Sequence, residues 1–301
     1  MDIWGLAPLE SMNRLLPESL GPQSYLFWLL LASVAVLILE RLRPWRRSQS
    51  AVRAGVGQDV FWLFFNGHFG GALVAIASEQ LLGRVAPGVQ WLEGARLLTK
   101  WPLPAQFLVL FVVKDLLDWC VHNLFHRVSW LWEFHKVHHS ITEMDWLGHM
   151  RFHMMELLGF RAVTYAPLVL LGAAPDVMLA VAALATLIGH LNHSNLNITW
   201  GPLRFIFNSP RMHIWHHAKQ YPEHRPSGAN FGISLSLWDW LFGTAWWPNA
   251  SAAPTQQPAA LGFADIEKYP TRLLPRFLHP IPRLFVNRKL SKSVTRRQAS
   301  G

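Results

Sequence analysis

Histidine is the residue type that points most clearly to chemistry in this chain, because fifteen of the 301 residues are histidines and many of them are grouped. Three groups stand out in the sequence: His122 with His126, then His135, His138 and His139, then His213, His216 and His217. Residues at i, i+3 and i+4 share one face of a helix, so each group predicts imidazoles that project in one direction. Neutral imidazole binds iron, zinc, copper or nickel. Eight histidines at this spacing therefore predict a site for two metal ions.

The composition indicates where such a site lies. Hydrophobic residues make up 51% of the chain and charged residues only 15%, whereas soluble proteins carry about a quarter charged residues. The 16 Trp and 18 Phe fit the aromatic belts at membrane surfaces. The single cysteine, Cys120, excludes an intrachain disulfide and a thiolate cluster. We therefore predict an all-α polytopic membrane protein, with about four to five membrane segments and a histidine-rich metal domain on the cytoplasmic face.

The uncharged stretches of the sequence set the expected topology. Residues 19–39 are long enough to cross a bilayer, and five arginines between positions 41 and 53 follow them, which places that end in the cytoplasm. Residues 60–78 then return the chain outward. A third span, 103–121, brings His122 to the inner side. The shorter apolar runs of 157–190, divided by Ala-Pro-Asp, predict a hairpin that dips through the membrane and ends inside again.

Four regions follow from this topology. They are a non-cytoplasmic N-terminal segment (1–22), three transmembrane spans (23–121), a histidine-box catalytic domain that includes the hairpin (122–250), and a linker with a basic cytoplasmic tail (251–301). Much of the net charge of +9 lies in the tail, where it is expected to contact anionic membrane lipids. Nucleic acid is not an expected partner, because the chain shows no nucleic-acid-binding module.

The carboxylates of the third span have two interpretations. Asp115 and Asp118 lie in its last turns, and Asp118 stands one turn before His122. A carboxylate there either orients the imidazole as a hydrogen-bond acceptor or pairs with Lys114 at the membrane boundary. The sequence leaves both interpretations open.

Taken together, the motifs resemble those of the fatty acid hydroxylase superfamily, which includes sterol desaturases, carotenoid hydroxylases and alkylglycerol monooxygenase. The resemblance runs from about Lys114 to Thr244 and is carried by KDLLDW, LWEFHKVHHS, HSN, NSPRMHIWHH and LWDWLFGT. It implies two iron ions that activate O2 to hydroxylate or desaturate a sterol, fatty acyl, carotenoid or ether lipid. It also implies ten metal ligands: His122, His126, His135, His138, His139, His190, His193, His213, His216 and His217.

A further motif of the family, R-x-H-P-x-E, is matched in part. Arg151, His153 and Glu156 are present, whereas Met154 stands where the family often has proline. Asn123 similarly replaces a usual arginine. These departures leave the subfamily unassigned, but all of the expected metal ligands are present. Residues expected to support the ligands from outside the metal site are Asp115, Asp118, Arg151, His153 and Glu156.

The residues themselves also favour iron. Hydrolytic zinc pairs usually include bridging carboxylates and ferritin-like iron pairs show Glu-x-x-His, and neither occurs within the three groups. Zinc is nevertheless expected as a substitute in purified protein. The chain has no dinucleotide, haem or iron–sulfur motif. An external electron donor is therefore expected, of ferredoxin or cytochrome b5 type with its reductase, beside the lipid substrate and O2.

The alternative hypothesis is a membrane metal transporter or sensor that uses the same histidines. A transporter is expected to place its ligands near the bilayer midplane, along a path. Here the groups are predicted at one face, which favours the enzyme. The enzyme would lie in the inner membrane of a bacterium or the endoplasmic reticulum of a eukaryote.

Overall fold

The computed structural model describes residues 21–70, 98–221, 224–247 and 256–283. Within these ranges the chain is mainly helical and contains no β-strand, only isolated bridges such as that between Pro44 and Leu196. The all-α prediction is confirmed for this part of the chain. Most of the N-terminal segment, the end of the predicted span 60–78, the start of the linker (251–255) and the end of the basic tail (284–301) lie outside the described residues.

The helices are α1 (Tyr25–Leu42), α2 (Val56–Phe64, continued by a π-helical turn Phe65–Phe69), α3 (Leu103–Arg127), α4 (Ser129–His139), α5 (Met154–Leu170), α6 (Pro175–His193), α7 (Pro210–His216), α8 (Leu237–Leu241) and α9 (Leu273–Leu278). Short 3₁₀ turns are Trp146–Met150, Gly201–Phe205 and Ile266–Lys268.

Among the described helices, α1 and α6 are long and apolar enough to cross a membrane. Helix α3 is longer, but Lys114, Asp115 and Asp118 are buried along it. Helices α5 and α6 are joined by a short turn in which Gly172 has a left-handed φ of 77°, and both pack against α3. The membrane hairpin stays a prediction. The total number of spans and the side on which the histidines lie remain predictions.

Helix packing leaves an apolar surface on α1. One face of α1 packs against α6, with Leu29 and Val36 fully buried. The opposite face exposes Leu31, Val34 and Ile38, each by about half of its surface. An exposed apolar face of this kind suits contact with lipid tails. Helix α3 packs against α4, α5 and α6, and α6 packs in turn against α1 and α7.

A buried ion network holds the segment that follows α4. Arg53 contacts Asp59 at 2.6 Å and Asp145 at 2.6 Å, and Arg151 contacts Asp59 at 2.5 Å. All four side chains are buried. Since breaking a buried pair leaves an uncompensated charge, the network fixes the backbone at Arg151, where it meets the histidines.

Two buried aspartates fix the loop between α7 and α8. Asp115 of α3 accepts hydrogen bonds from the backbone N–H groups of Ser234 and Leu235 and from the indole of Trp238. Asp239 of α8 accepts from the backbone of Phe231. Charge-assisted bonds to backbone N–H groups are short and strong, so they lock the position of this loop beside α3.

Candidate metal centre

Four helices bring the predicted ligands to one place. His122 and His126 lie near the end of α3, and α4 follows after a single residue, Val128, carrying its three histidines back over them. Helix α7 begins with Ser209, whose hydroxyl accepts from the N–H of Met212 at 3.2 Å, and with proline at its first position. This strong helix start sets the direction of the last three histidines.

The described histidines form two groups, each able to hold one metal ion. We call them the five-histidine group (His122, His126, His135, His139, His216) and the four-histidine group (His138, His193, His213, His217). Within each group the possible ligand atoms lie within 4.8 Å of one another. The structure thus brings together nine of the ten predicted ligands.

The same nitrogen, Nε2, faces the centre of each group. In the five-histidine group, Nε2 of His122 lies 3.2 Å from Nε2 of His135, and Nε2 of His139 lies 3.1 Å from that of His216. In the four-histidine group, the corresponding distances from His213 to His193 and His217 are 3.1 and 3.2 Å. Two nitrogens that each lie about 2.1 Å from one ion are roughly 3.0 Å apart when the nitrogen–metal–nitrogen angle is a right angle. They are roughly 3.4 Å apart when that angle is tetrahedral. The observed spacing therefore fits metal coordination.

The outer nitrogens show that at least one such contact between Nε2 atoms is not a hydrogen bond between imidazoles. Four Nδ1 atoms face backbone carbonyls, those of Phe231 for His122 (2.7 Å), Arg151 for His138 (3.2 Å), Gly189 for His193 (2.8 Å) and Ala229 for His216 (2.9 Å), and that of His135 faces the carboxyl group of Glu156 (2.5 Å). A carbonyl only accepts, so in the first four rings Nδ1 carries the proton and Nε2 carries a lone pair. The lone pairs of His138 and His193 therefore face each other at 3.2 Å, where they repel unless a cation lies between them.

Burial keeps these imidazoles neutral. It lowers the pKa of His139 and of His217 well below the usual 6.5, and the neighbouring histidines lower both pKa values further. Burial lowers the pKa of His135, His138 and His213 in the same way. Neutral imidazole is the form that binds metal, so the site is ready for a cation without losing protons.

The two groups are adjacent. The ring of His139, in the five-histidine group, stacks on that of His217, in the four-histidine group, with centroids 4.4 Å apart and planes 23° apart. His135 and His138 similarly link the groups through α4, with ring centroids 5.3 Å apart. Two ions held here would be neighbours in one buried centre.

His190, the tenth predicted ligand, belongs to neither group. Its Nε2 lies 3.1 Å from the hydroxyl of Ser33, and its Nδ1 lies 3.0 Å from Nδ1 of His149. Position 190 precedes His193 by less than one helical turn, so its side chain is rotated toward α1 instead of the metal centre. The structure therefore places His190 beside the four-histidine group, and its role as a metal ligand stays a prediction.

The five residues expected to support the ligands are not equivalent. Glu156 contacts His135 directly, and Arg151 contributes its carbonyl to His138. Asp118 is not a partner of His122 but pairs with Lys114 at 2.5 Å, which decides between the two interpretations of that carboxylate.

Asp115 and His153 lie away from the histidine groups. Asp115 anchors the loop that contains Ser234 and Leu235. His153 lies with Nε2 3.0 Å from the carbonyl of Phe277, and its Nδ1 accepts from the N–H of Met155. Both residues therefore support the surrounding structure.

Several residues of the site were not found by sequence reasoning. Phe152 stacks on His138 with centroids 4.6 Å apart, and Trp132 packs against His126 and His139. The carbonyls of Ala229 and Phe231 leave no side-chain signature. The one available signal was the sequence SGANFG, in which Gly228 (φ 100°) and Asn230 (φ 59°) take left-handed conformations.

Comparison with known proteins identifies the segment that carries this centre. Residues 107–244 match the family model described as fatty acid hydroxylase. An ornithine lipid hydroxylase of Rhizobium tropici is 37% identical over 145 residues, which cover 48% of this chain and 43% of the relative. An alkylglycerol monooxygenase of Caenorhabditis elegans is 24% identical, over 58% of this chain and 32% of the relative.

A methylsterol monooxygenase of Arabidopsis thaliana is 26% identical, over 52% of this chain and 53% of the relative. The chain thus spans about half or less of the length of these relatives. No solved structure matches it. The matched segment holds both histidine groups, and the resemblance found in the sequence motifs is confirmed. Residues 107–244 of the chain are therefore similar to the fatty acid hydroxylase superfamily.

Proposed function

We propose that this protein is an O2-dependent, non-haem di-iron membrane oxidoreductase that hydroxylates a lipid. The observation that carries the proposal is the convergence of nine histidines, each offering one ring nitrogen, into two adjacent groups. Bound iron would supply the oxidising power that a strong C–H bond requires. The relatives are named as hydroxylases and monooxygenases, which supports hydroxylation over desaturation.

The side chains of the centre have separable tasks. The nine imidazoles would hold the two ions. The carbonyls of Phe231, Arg151, Gly189 and Ala229 orient four of the rings and fix their tautomers. Burial raises the pKa of Glu156 well above its usual value, and a bound cation would favour its ionised form, in which Glu156 would make His135 a stronger electron donor to a metal.

Burial of the centre would protect the reaction from water. His139, His216 and His217 are fully buried, Trp132 packs against His139 in the five-histidine group, and Phe152 stacks on His138 in the four-histidine group. A dry site strengthens electrostatic interactions and prevents a reactive oxidant from being quenched. An apolar substrate chain is suited to such a site, because its binding does not require polar partners.

Turnover would require partners. Insertion of one atom of O2 into a C–H bond consumes two electrons and two protons and releases the second oxygen atom as water. The sequence carries no motif for a flavin, nicotinamide, haem or iron–sulfur cofactor. We therefore propose an external electron donor, of ferredoxin or cytochrome b5 type with its reductase, and a membrane lipid as substrate.

The proposed location is an integral membrane position with the metal centre at the cytoplasmic face. Helices α1 and α6 are apolar enough to cross a bilayer, and the arginines after α1 favour the cytoplasm for its C-terminal end. His193 is the last residue of α6, so the metal centre would lie at the membrane surface. Named relatives act on ornithine lipid, alkylglycerol and methylsterol, which supports a lipid substrate.

The test is lipid profiling of host cells that carry the wild-type gene, a His139→Ala variant or no gene. We expect lipids that gain one oxygen atom only with the wild type, and only in the presence of O2. Unchanged lipids in cells that contain iron-loaded protein and a competent reductase would contradict the proposal. A change in cellular metal content without lipid oxidation would support the transporter alternative.

A further inference from the structure

A cluster of polar and charged side chains lies within the helix bundle, away from the two histidine groups. Lys114 of α3 contacts Asp118 at 2.5 Å, and its Nζ lies 5.2 Å from the ring centroid of Tyr165. Arg161 of α5 lies with its Cζ 5.9 Å from the ring centroid of Tyr25. We call these five residues, together with Thr186, the polar chamber. Ionisable residues within membrane bundles are costly, so their presence indicates a function.

Helices α1, α3, α5 and α6 all contribute to the polar chamber. Tyr25 of α1 and Thr186 of α6 share a hydrogen bond of 2.6 Å between their hydroxyls. Lys114 and Asp118 are buried, whereas Tyr25, Arg161 and Tyr165 are only half-buried. The polar chamber is therefore closed on the α3 side and accessible on the side of α5 and α1.

Arg161 has no direct ion-pair partner among the described residues. Lys114 contacts Asp118, and the buried carboxylate of Asp115 lies within electrostatic reach of both. Asp118 acts on Arg161 only at longer range, and the guanidinium lies over the face of Tyr25, a weak interaction for a cation. The donors of Arg161 are therefore available to an acceptor, and a carboxylate or phosphate is the group that a planar guanidinium binds best.

Three helices lead from the polar chamber to the metal centre. On α3, Asp118 is followed one turn later by His122. On α6, Thr186 shares a face with His190 and His193. On α5, Arg161 lies within electrostatic reach of His149, whose ring centroid is 5.3 Å from that of His193 in the four-histidine group. A ligand held at Arg161 would thus lie on the side of the bundle that leads to the four-histidine group.

We propose that the polar chamber binds the anionic polar group of the substrate, a carboxylate or a phosphate, with Arg161 as its counter-ion. This inference rests on the proposed lipid hydroxylase and narrows its substrate to lipids that carry a negative charge near the reacting carbon. Arg161 is then a specificity-determining residue, because an uncharged lipid leaves the guanidinium without a partner in a poorly solvated place.

The test compares binding of three single-chain probes to the metal-loaded protein in nanodiscs of neutral lipid. The probes are N-palmitoylglycine (carboxylate), hexadecyl phosphate (phosphate) and N-palmitoylglycinamide (neutral). We expect the wild-type protein to bind at least one anionic probe about tenfold or more tightly than the neutral probe. The anion that binds more tightly identifies the source of the charge.

Variants assign the preference to one residue. Arg161→Gln should remove it, Arg161→Lys should retain part of it, and Arg127→Gln, which removes an exposed arginine at the end of α3, should leave it unchanged. An unchanged preference in Arg161→Gln, or none in the wild type, would overturn the proposal. Metal content and lipid oxidation are measured on the same samples, so that failure of the proposed enzyme is recognised separately.

A second measurement needs no variant and so does not depend on how Arg161→Gln folds. A photoreactive group placed beside the carboxylate of N-palmitoylglycine should label wild-type residues near Arg161, such as Tyr25, Tyr165 or Thr186. Labelling confined to other parts of the chain, for example α9, would contradict the proposal.

Discussion

The two histidine groups are built from the same residue type but differ in what surrounds them. The five-histidine group includes His135, whose Nδ1 donates to the carboxylate of Glu156. In the four-histidine group, the hydrogen-bonded rings donate only to backbone carbonyls, those of Arg151 and Gly189. The first group therefore offers one more ligand and more negative charge. We expect it to bind its metal more tightly, and the second group to have more room for O2.

Acid should affect both groups at once and has the largest expected effect. Burial lowers the pKa of His139, His216 and His217 below the usual 6.5, so the metal-free unfolded chain binds more protons than the folded one as pH falls. Above pH 6.5 these histidines are neutral in both states and do not lower the free energy of unfolding. Below pH 6.5 the free energy of unfolding falls by about 1.4 kcal/mol per histidine per pH unit.

The measurement is the free energy of unfolding of metal-free protein between pH 7.5 and 5. With three such histidines, the loss should reach roughly 6 kcal/mol at pH 5, which is comparable to the total stability of a typical domain, about 5–15 kcal/mol. Metal-loaded protein should resist acid further, because protons must first displace the metal. A free energy of unfolding that stays constant over this range would contradict the burial of neutral imidazoles.

Removal of one histidine should affect metal binding differently in the two groups. His213→Ala leaves three histidines in the four-histidine group, whereas His216→Ala leaves four in the other. Both changes should lower activity by more than about 100-fold, the upper range for losses around a metal ligand. His213→Ala should also lose close to one metal per chain, and His216→Ala should lose less.

The matched control is His153→Ala, a buried histidine that contacts the carbonyl of Phe277 and lies outside both groups. It should keep both metals. Equal metal loss in His213→Ala and His216→Ala would remove the proposed difference in affinity.

Glu156 should account for much of the difference in metal affinity between the two histidine groups. Glu156→Gln keeps the size of the side chain but removes the charge, so His135 should become a weaker ligand. We expect a loss of about 10–100-fold in metal affinity at the five-histidine group, read by competition with a chelator. Glu133→Gln, a buried glutamate of α4 that pairs with Lys136, is the control. If both variants behave alike, the contact with His135 has no special effect on the metal.

The smallest effect is expected at His190. Because its nitrogens contact Ser33 and His149, His190→Gln should keep two metals and reduce activity by less than about tenfold. Metal analysis of this variant decides between the sequence-based assignment as a ligand and the position seen in the structure. Loss of one metal would establish His190 as the tenth ligand.

The sequence indicated which histidines lie close together, because their spacing follows helix geometry. Groups at i, i+3 and i+4 on α3, α4 and α7 indicated which imidazoles share a face. Spacing alone did not show which histidines share a metal site. His216 belongs to the five-histidine group, whereas the next residue, His217, belongs to the four-histidine group with His193. That division depends on how α7 is rotated, which Ser209 and the loop from Ala229 to Phe231 determine through tertiary contacts.

The supporting contacts were harder to predict. Asp118 has the right spacing to reach His122, but a lysine one turn earlier competes for the same carboxylate and binds it. The acceptor of His122 is instead the carbonyl of Phe231, more than a hundred residues away. Backbone carbonyls have no residue-type signature, so these partners become visible only in the folded structure.

The most direct test of the account is the metal content of active wild-type protein, measured as metal per chain by elemental analysis. The two histidine groups predict two metals per chain, with iron in the active form and zinc as a possible replacement after overexpression. One metal or none, on protein that is folded and active, would contradict the central claim.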